Sequence, residues 1–410
     1  MLDFPASPTN GQKYPASPIA GVPVYTWDGE KWKTPSTQTG DAVSTAYVDQ
    51  QDALRVRHDA PQGLAATNQT TGRSNVYAAP FDALAYSGMQ LNGSFEVSQS
   101  IGNTAAPGGY LMDGWLLAAS NSTGVLACNQ GAALSSPITA GVYFPYFLSL
   151  RATTAFAAPT ASDYLYFTNT IEGYRAARLC WGMGAGAVPV TICFWVFSTV
   201  GGTLAVGVAN GAHDRSYVVD VPVTNVWQYK TVTIPGDTAG TWERTTNAGL
   251  RLMFAAATGT NYQTTPGAWV AGNKFATSAT SNLFNAVNAS IYVAGVVVLP
   301  GIEAPSAARS PFIMRPYDQE LITCKRYYQK WTNLIIDNGY NIAGPLSYTS
   351  VQITPEMRVA PTLYISNIVY NNMQSVGATS GDNKSASISA STITTGAGTT
   401  SCDLIADARL

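Results

Sequence analysis

Charged residues are scarce in this sequence of 410 residues. Lys and Arg number 22 and Asp and Glu number 24, so charged residues make up 11% of the chain and the formal net charge is −2. An average soluble domain carries about a quarter charged residues. Because the basic residues are few and scattered, the composition gives no electrostatic reason to expect a nucleic-acid partner.

Long apolar runs are missing as well. No stretch reaches the roughly eighteen consecutive apolar residues that a transmembrane helix needs. The opening MLDFPASPTN also lacks the charged-then-apolar order of a signal peptide. We therefore expect a protein that is made in the cytoplasm without a secretion address and without membrane insertion.

Cysteine and histidine are too few and too dispersed for common metal and catalytic sites. The five cysteines are widely spaced and odd in number, which predicts reduced, mostly buried thiols instead of a disulfide framework or a metal knuckle. A pairing of Cys180 with Cys193 on adjacent strands stays open. His58 and His213 have no companions at metal-ligand or triad spacing. With no nucleotide-binding loop either, the sequence predicts no catalytic residue, no metal and no cofactor.

Short strand-like segments are what the sequence has in abundance. Between Pro189 and Pro300, segments rich in β-branched and aromatic residues are separated by Gly, Asn, Asp or Pro. These segments are VTICFWVFST, GTLAVGVAN, SYVVDVPV, WQYKTVTIP, LRLMFAAAT and ASIYVAGVVVLP. Short strands without intervening helices indicate an antiparallel sandwich. We predict a mainly β protein with a jelly-roll-like β-sandwich at 91–309, with Trp195 and Phe197 in its core.

One strong helical pattern interrupts the strands, in RPYDQELITCKRYYQKW at 315–331. Pro316 suits the first turn, acidic residues follow it, and basic residues stand near the end, as the helix dipole favours. An apolar, aromatic face arises from residues at steps of three and four: Leu321, Cys324, Tyr328 and Trp331. We predict an amphipathic helix that forms the joint between two packed β-rich units.

The first forty residues, 1–40, contain a hairpin pattern in VYTWDGEKWKT. Asp28-Gly29 predicts a two-residue turn with Trp27 and Trp32 on either side. Two strands have no core of their own, so we expect neighbouring copies or a host assembly to complete the hairpin. Residues 41–90 follow as a short helix, compatible with a trimerisation or linker role, and a polar linker.

The last hundred residues, 310–410, carry the helix and a second β-rich unit. Its strand-like segments include LSYTSVQIT, TLYISNIV and KSASISAS. The last of these is so poor in apolar residues that we expect the unit to bury no core of its own. The prediction is that this unit gains order by packing against other copies of the chain.

Several segments resemble one family in the same order. LNGSFEVSQ, followed by MDGW around Trp115, resembles the NGxFEVxQ…DRW opening of the carbohydrate-binding β-sandwich in bacteriophage and prophage tail fibre proteins. CFWVFST, WQYKTVTIPGDTAGTW, GLRLMF and the helical segment are similar to later signatures of that family, and PEMRVAPTLY and ADARL to its C-terminal region. FPASPTNGQ…YTWDGEKW is similar to segments that open many phage tail fibres.

This resemblance implies a virion appendage protein that is a homotrimer. It implies attachment to other phage tail proteins through the N-terminal segment, where Tyr25, Trp27 and Trp32 are the candidate attachment residues. It also implies that the β-sandwich is presented to polysaccharide on the host surface. The expected location is the tail of the virion.

Candidate glycan-binding residues come from turn-rich stretches, because sugars stack on aromatic rings and bond to amides and carboxylates. The candidates are Trp242, Tyr262 and Trp269, with Asp237, Asn247 and Asn261 as polar partners. The alternative is that Trp242 and Trp269 close the ends of the sandwich. A second candidate surface, equally compatible with trimer contacts, comprises Tyr340, Tyr348, Tyr364 and Tyr370 with Asn371 and Asn372.

Two other functions stay open. A polysaccharide depolymerase needs paired carboxylates, and a pair at a subunit interface would not show in one sequence. Asp214, Asp220, Asp237 and Glu243 stand in sequence typical of turns, where such side chains bond their own backbone. The third function is a non-binding structural adaptor or head fibre, in which the sandwich serves as a spacer.

Overall fold

The computed structural model describes residues 4–33 except 18 and 21, residues 68, 71–72, 88–102, 109–120, 126–132, 142–337 except 157, residue 339 and residues 342–410. The chain divides into two compact units, Met1–Ala78 and Ala79–Leu410. The helix predicted at 41–58, almost all of the linker predicted after it, and Tyr340 lie outside the described residues.

The described part of the first unit is a small antiparallel sheet. Its strands, paired in chain order, are β1 (Lys13–Tyr14), β2 (Tyr25–Trp27) and β3 (Trp32–Lys33). The predicted hairpin is present, but its turn lies one residue further along, at Gly29 and Glu30, because the Asp28 N–H donates to the Lys31 carbonyl at 3.1 Å. The Asp28 carboxylate stabilises this turn by accepting the N–H groups of Glu30 and Lys31, each at 2.9 Å.

A cluster of aromatic rings packs on this sheet. The Phe4 ring lies 5.0 Å from the Tyr14 ring, 5.1 Å from the Tyr25 ring and 5.1 Å from the Trp32 ring. Trp27 and Trp32 pack across the hairpin at 5.6 Å, as the sequence predicts. In addition to the predicted hairpin, β1 and Phe4 upstream of it contribute a third strand and apolar contacts.

The second unit begins with a β-sandwich. Its strands are β4 (Gly109–Met112), β5 (Trp115–Ala119), β6 (Leu126–Ala132), β7 (Tyr146–Ala152), β8 (Tyr164–Glu172), β9 (Val190–Ser198), β10 (Gly202–Asn210), β11 (Arg215–Val223), β12 (Gln228–Ile234), β13 (Ala248–Thr258), β14 (Trp269–Ala271) and β15 (Ser290–Pro300). A seven-stranded sheet has the order β14-β11-β10-β13-β8-β5-β4, and a five-stranded sheet has the order β12-β9-β15-β7-β6. A four-residue helix, α1 (Gly173–Ala176), follows β8.

The core lies between the two sheets. Phe254 of β13 stacks on Phe167 of β8 at 4.9 Å and meets Phe194 of β9, from the other sheet, at 5.1 Å. Trp115 of β5 is fully buried beside them and donates its indole N–H to the Asn92 carbonyl at 3.0 Å. The structure confirms the antiparallel sandwich and the six strands predicted between Pro189 and Pro300.

The segment 88–102 forms no strand, although the sequence suggests that the strands begin there, and most of its residues between 89 and 97 are buried. The Asn92 side chain replaces a strand partner: its Nδ2 donates to the carbonyls of Val97 at 2.7 Å and Asp113 at 3.0 Å. Its Oδ1 accepts the Val97 N–H at 3.1 Å. Because these backbone groups are satisfied, Phe95 can be buried in the sandwich core.

The predicted helix is about half as long as the sequence suggests. It spans α2 (Tyr317–Lys325), and the chain then continues in β16 (Tyr328–Asp337). Tyr328 and Trp331, predicted on the apolar helix face, instead pair in register with Asp407 and Leu404 of the last strand. Tertiary pairing overrides the helical spacing, because a strand partner lies alongside this stretch.

The helix docks on the start of the sandwich, as predicted for a joint between β-rich units. Cys324 is fully buried with Leu91 and Val97, and Leu321 packs against this group. Arg315 and Glu320 form a buried ion pair next to it, with Arg315 Nη1 2.9 Å from Glu320 Oε2. Glu320 also accepts the Asn92 N–H at 2.8 Å, so the pair connects helix and loop directly.

The C-terminal region is a second, smaller sandwich. Its remaining strands are β17 (Leu346–Gln352), β18 (Thr362–Asn371), β19 (Met373–Thr379), β20 (Ser385–Thr392) and β21 (Thr399–Asp407). Two three-stranded sheets, β16-β21-β18 and β17-β20-β19, enclose a core that includes Ile336, Met357 and Leu404. The prediction that this region buries no core was wrong: Ala386, Ile388 and Ala390 of KSASISAS alternate into it.

The five cysteines are free thiols, and four of them are buried. The pairing of Cys180 with Cys193 was wrong, because Cys193 lies in β9 while Cys180 ends a short 3₁₀ turn outside the sheets. In the described residues, no helix is long and apolar enough to cross a membrane.

Candidate functional site

Two of the aromatic residues predicted to bind a glycan help to close one end of the sandwich. Trp242 packs edge-on against Trp181 at 4.6 Å, and Trp269 lies 5.3 Å from Trp181 and 5.7 Å from Trp242. Trp242 is only 8% exposed. The cavity beside Trp181 and Trp242 has a volume of about 10 Å³, enough for one water and too small for a sugar ring.

Asp237 is engaged in holding this end together. Its carboxylate accepts two hydrogen bonds from Arg215, from Nε at 2.8 Å and from Nη2 at 2.6 Å. It also accepts the Trp242 indole N–H at 3.3 Å. The bond to Asp237 raises the pKa of Arg215. Since Asp237 is 1% exposed and fully bonded, it offers no free acceptor to a sugar.

The other three candidates lie elsewhere. Tyr262 stacks on Phe275 at 4.8 Å and meets Tyr164 at 5.2 Å over the outer face of the seven-stranded sheet, and Asn261 is exposed beside it. The carbonyl of exposed Asn247 accepts the Gly173 N–H at 2.7 Å. No ring contact or hydrogen bond given for the described residues joins these three to the tryptophan cluster. The six predicted residues therefore do not form one site.

The candidate carboxylates for hydrolysis are bound to neighbours. Asp220 accepts the Thr277 hydroxyl at 2.6 Å, and Glu243 accepts the N–H groups of Arg244 and Thr245, each at 2.8 Å. A hydrogen bond from the Thr245 side chain, together with these backbone bonds, lowers the pKa of Glu243. Glu243 bonds its own backbone as predicted for a turn, whereas the turn prediction for Asp220 was wrong, because this residue lies within β11 and bonds a distant side chain.

An aromatic surface that the sequence analysis did not propose lies on the outer face of the five-stranded sheet. Tyr292 of β15 stacks on Phe197 of β9 at 5.4 Å with an angle of 15° between the rings. Phe147 of β7 lies 5.2 Å from Tyr292, and Trp227, just before β12, lies 5.9 Å from both Phe147 and Phe197. We call Phe147, Phe197, Trp227 and Tyr292 the aromatic platform.

Phe197, predicted in the core, is instead half-buried on the outer face; Trp195 is buried as predicted, at 5% exposure, but in a separate cluster on that same outer face. Ile192, Phe194 and Val196 are the β9 residues that enter the core, so Trp195 and Phe197 point outward. Both faces of β9 are apolar, and such a strand does not reveal from its sequence which face is inside. The sequence contained one signal for this outer aromatic surface, namely Trp227 at the start of the strand-like segment WQYKTVTIP.

Only part of this outer face is open. The segment Ala307–Ile313 and its neighbours lie over one end, where the Trp195 indole N–H donates to Ser310 Oγ at 2.9 Å and the Tyr229 hydroxyl donates to the Pro305 carbonyl at 2.8 Å. Phe197, Trp227 and Tyr292 remain half-buried, with part of each ring exposed.

Polar residues continue the platform along the sheet. Ser149 of β7 stands opposite Tyr292, and Asn129 of β6 stands opposite Ser149. Phe147 lies against Gly131, where an added Cβ would come within 2.3 Å of the ring. The result is a row of rings beside hydroxyl and amide groups, which is the chemistry that sugar rings and their hydroxyls require.

The described residues form a further cavity but no cluster of metal-ligating side chains. Among them, no three His, Cys, Asp or Glu side chains gather where they could hold a metal ion. A pocket of about 300 Å³ at the other sheet is lined by five polar residues, Thr258, Thr260, Gln263, Thr280 and Asn282, and by Pro159, Ala161 and Gly259.

Comparison with known proteins gives structural neighbours only. No family model and no curated protein matches this sequence. Among solved structures, the chain is similar to one described as "CBM4 structure and function", with 16% identity, 51% of this chain and 97% of that chain covered, and a TM-score of 0.27. A family 11 carbohydrate-binding module from Clostridium thermocellum, in complex with a β-1,3-1,4-mixed-linked tetrasaccharide, has 12% identity, coverage of 50% and 99%, and a TM-score of 0.25.

A tandem CBM22 domain from Paenibacillus barcinonensis Xyn10C covers more of the chain, 76% of it and 91% of its own length, at 9% identity and a TM-score of 0.25. Identities and TM-scores this low carry no argument about function. The function is therefore argued from this chain's own residues.

Proposed function

We propose that this chain is a glycan-binding protein and that the aromatic platform is its binding surface. The observation that carries the proposal is a set of four neighbouring rings on the outer face of a sheet, with part of their surface open to solvent. Apolar C–H faces of sugars stack on such rings, and a flat sheet face accommodates several sugars of a chain in a row.

The biological role that we propose is host recognition by a bacteriophage tail fibre, with the protein located in the virion. The support is the ordered series of sequence segments that resembles tail fibre proteins, from LNGSFEVSQ to the C-terminal ADARL. The first unit, with Tyr25, Trp27 and Trp32 on one small sheet, is proposed to attach the chain to other tail proteins.

We further propose that binding occurs without catalysis. The support is that the candidate carboxylates are bonded within the fold, Asp237 to Arg215 and Asp220 to Thr277. A general acid or base has to reach a substrate directly, and these bonds direct the oxygens to neighbouring residues instead.

Substitution of Trp227 by Ala tests the platform. We expect retention on the surface polysaccharide of the host to weaken about tenfold, which corresponds to about 1.4 kcal/mol, because the variant loses one stacking surface. Retention is measured with purified full-length protein on immobilised polysaccharide, and the chain length of the polymer is followed over the same time.

The matched control is Tyr174→Ala, which removes an aromatic ring that is 69% exposed on α1, away from the platform. Equal retention by the two variants, with both folded, would place the binding elsewhere. Shortening of the polymer would favour the depolymerase, and no retention on any host polysaccharide would favour the structural adaptor.

A trimer is the assembly that we propose. Three apolar side chains on the outer face of the β16-β21-β18 sheet, Ile335, Tyr364 and Val369, are each more than half exposed. Exposed apolar surface of this kind is characteristic of contact faces. Light scattering of the full-length protein is expected to give the mass of three chains, whereas a stable monomer would contradict the fibre assignment.

A further inference from the structure

The pocket of about 300 Å³ lies at one end of the seven-stranded sheet, where three segments of the chain meet. Pro159 and Ala161 come from the segment that precedes β8. Residues of 258–263 belong to the end of β13 and the turn after it, and Thr280 and Asn282 come from the segment that precedes β15. We call this cavity the end pocket.

The first two segments are joined by backbone hydrogen bonds. Beyond the last pair of β8 and β13, the Gly259 N–H donates to the Asp163 carbonyl at 2.7 Å. The Asn261 N–H then donates to the Ala161 carbonyl at 3.0 Å. A Cβ added to Gly259 would lie 1.9 Å from the Thr160 carbonyl oxygen, so the two segments are in direct contact. This wall of the end pocket is therefore closely packed.

The third segment is also held in place. Thr280 Oγ1 accepts the Thr277 N–H at 2.9 Å, and the Thr277 hydroxyl donates to Asp220 of β11 at 2.6 Å. Asn282 Oδ1 accepts the Phe284 N–H at 3.1 Å, which fixes the orientation of the amide. A pocket whose walls are fixed before binding loses little conformational freedom when a ligand enters.

The lining of the end pocket is polar and carries no charge. Its eight residues are Thr, Gln, Asn, Gly, Ala and Pro, and none of these types has an ionisable side chain. Burying a charged group without an opposite charge is costly, whereas hydroxyls and amides can satisfy the hydroxyls of a ligand. The end pocket therefore favours a neutral ligand with several hydroxyl groups.

Two side chains are placed to bind such a ligand. Gln263 is half-buried, and its Nε2 donates to the Thr258 carbonyl at 3.4 Å, a bond that uses one of the two N–H groups of the amide. The Thr280 oxygen accepts a backbone N–H, so its hydroxyl hydrogen can point to a ligand. Pro159 and Ala161 provide apolar surface for C–H groups, and Ala161 is exposed, so the end pocket opens to solvent.

We propose that the end pocket binds one neutral sugar unit at the end of a glycan chain. That the ligand is a sugar rests on the proposed function. The volume is at the lower limit of the range of about 300–1,000 Å³ that is usual for ligand pockets, which suits one sugar unit better than an oligosaccharide. The aromatic platform, on the other sheet, has room for several units in a row, so the two surfaces recognise different parts of a chain.

The test is titration of the full-length protein with glucose, galactose and mannose, and with the corresponding uronates, followed by saturation-transfer nuclear magnetic resonance. We expect at least one neutral sugar to bind. Its uronate should bind about tenfold more weakly, because the carboxylate would lose water without gaining a cation. Absence of binding by all three neutral sugars would overturn the proposal, and equal or tighter binding of the uronate would overturn the neutral assignment.

Variants locate the binding. Gln263→Ala is expected to weaken it about tenfold, because the amide both donates and accepts hydrogen bonds. Gln319→Ala, the same change at an exposed position of α2, should leave binding unchanged. Ala161→Leu fills the end pocket from an exposed position without removing a polar side chain, so it should fold even if Gln263→Ala does not, and should abolish binding. Unchanged binding by folded Gln263→Ala and Ala161→Leu would overturn the proposal.

The platform variant Trp227→Ala separates this proposal from the proposed function. It should bind the single sugar as the unchanged protein does, while its retention on polysaccharide falls. Loss of sugar binding in Trp227→Ala, with Gln263→Ala unaffected, would assign the sugar to the platform and contradict the end pocket alone. Normal retention of Trp227→Ala, with sugar binding lost in Gln263→Ala, would contradict the platform and leave the end pocket supported.

Discussion

Replacement of Glu320 by Ala is expected to lower the free energy of unfolding by about 4 kcal/mol, because it leaves a buried cation unpaired. Glu320 is 2% exposed and lies within 3.0 Å of Arg315 Nη1 through both oxygens. Arg315 itself is 9% exposed and is held by the Gln90 carbonyl at 3.0 Å, so it cannot turn to water when its partner is removed.

The variant also removes the acceptor of the Asn92 N–H, which bonds to Glu320 at 2.8 Å. This bond joins α2 to the loop that positions Asn92, on which the Trp115 indole and the Val97 backbone depend. The substitution therefore weakens hydrogen bonding both at the joint formed by α2 and in the sandwich core. Unfolding in urea, followed by near-ultraviolet circular dichroism, measures the effect.

Glu356→Ala is the matched control. Glu356 is 53% exposed and lies 3.7 Å from Lys384, so its ion pair is screened by water and contributes at most about 1 kcal/mol. The chemical change, Glu to Ala, is the same in both variants, whereas one ion pair is buried and the other is exposed. Similar urea midpoints for the two variants would show that the Arg315–Glu320 pair does not hold the joint.

Asp113 is expected to make stability depend on pH in the weakly acidic range. The carboxyl is 4% exposed, and burial raises its pKa to about 6, against the hydrogen bonds it accepts from the Gln99 N–H at 2.8 Å and Gln99 Nε2 at 3.1 Å. Because the folded pKa lies above the value of 3.8 that is usual for an aspartate, the folded state binds the proton more tightly than the unfolded chain does.

The stabilisation from this proton is fully present below pH 3.8 and is lost as pH rises through about 6. A shift of about two pKa units corresponds to about 3 kcal/mol. We therefore compare the unfolding free energy of the unchanged protein with that of Asp113→Asn. The advantage of the unchanged protein is expected to fall by about 3 kcal/mol as pH rises from 3.8 to about 6, and to be constant above pH 7.

Asp382→Asn provides a control of opposite sign. Hydrogen bonds from the Lys384 and Ser385 backbone lower the pKa of exposed Asp382, so its contribution is lost as pH falls. As pH falls, the urea midpoint of the unchanged protein should therefore rise relative to that of Asp113→Asn and fall relative to that of Asp382→Asn. Parallel curves for Asp113→Asn and the unchanged protein would contradict the raised pKa.

The sequence alone determined the position of most strands and the class of fold. Alternating apolar residues and turn residues such as Gly, Asn and Pro are local signals, and they correctly predicted β9 to β13, β15, β17, β18 and β20. The hairpin at Trp27 and Trp32 was predicted for the same reason, since its turn chemistry lies within four residues.

Where the local sequence was compatible with two structures, contacts between distant residues determined which one formed. Tyr328 and Trp331 fit a helical face, but pairing with β21, about seventy residues later, draws them into a strand. KSASISAS looked too polar for a core, yet alternation of Ala386, Ile388 and Ala390 is enough where a second sheet packs against it.

The candidate sites depended on tertiary structure most of all. Trp242 lies in a turn-rich stretch that could be a binding loop, but packing against Trp181, about sixty residues earlier, buries it. Phe197 and Tyr292 meet because β9 and β15 pair across about a hundred residues. Composition and periodicity record only what neighbours along the chain impose, whereas a binding surface is made of residues that the strand order of the sheets brings together.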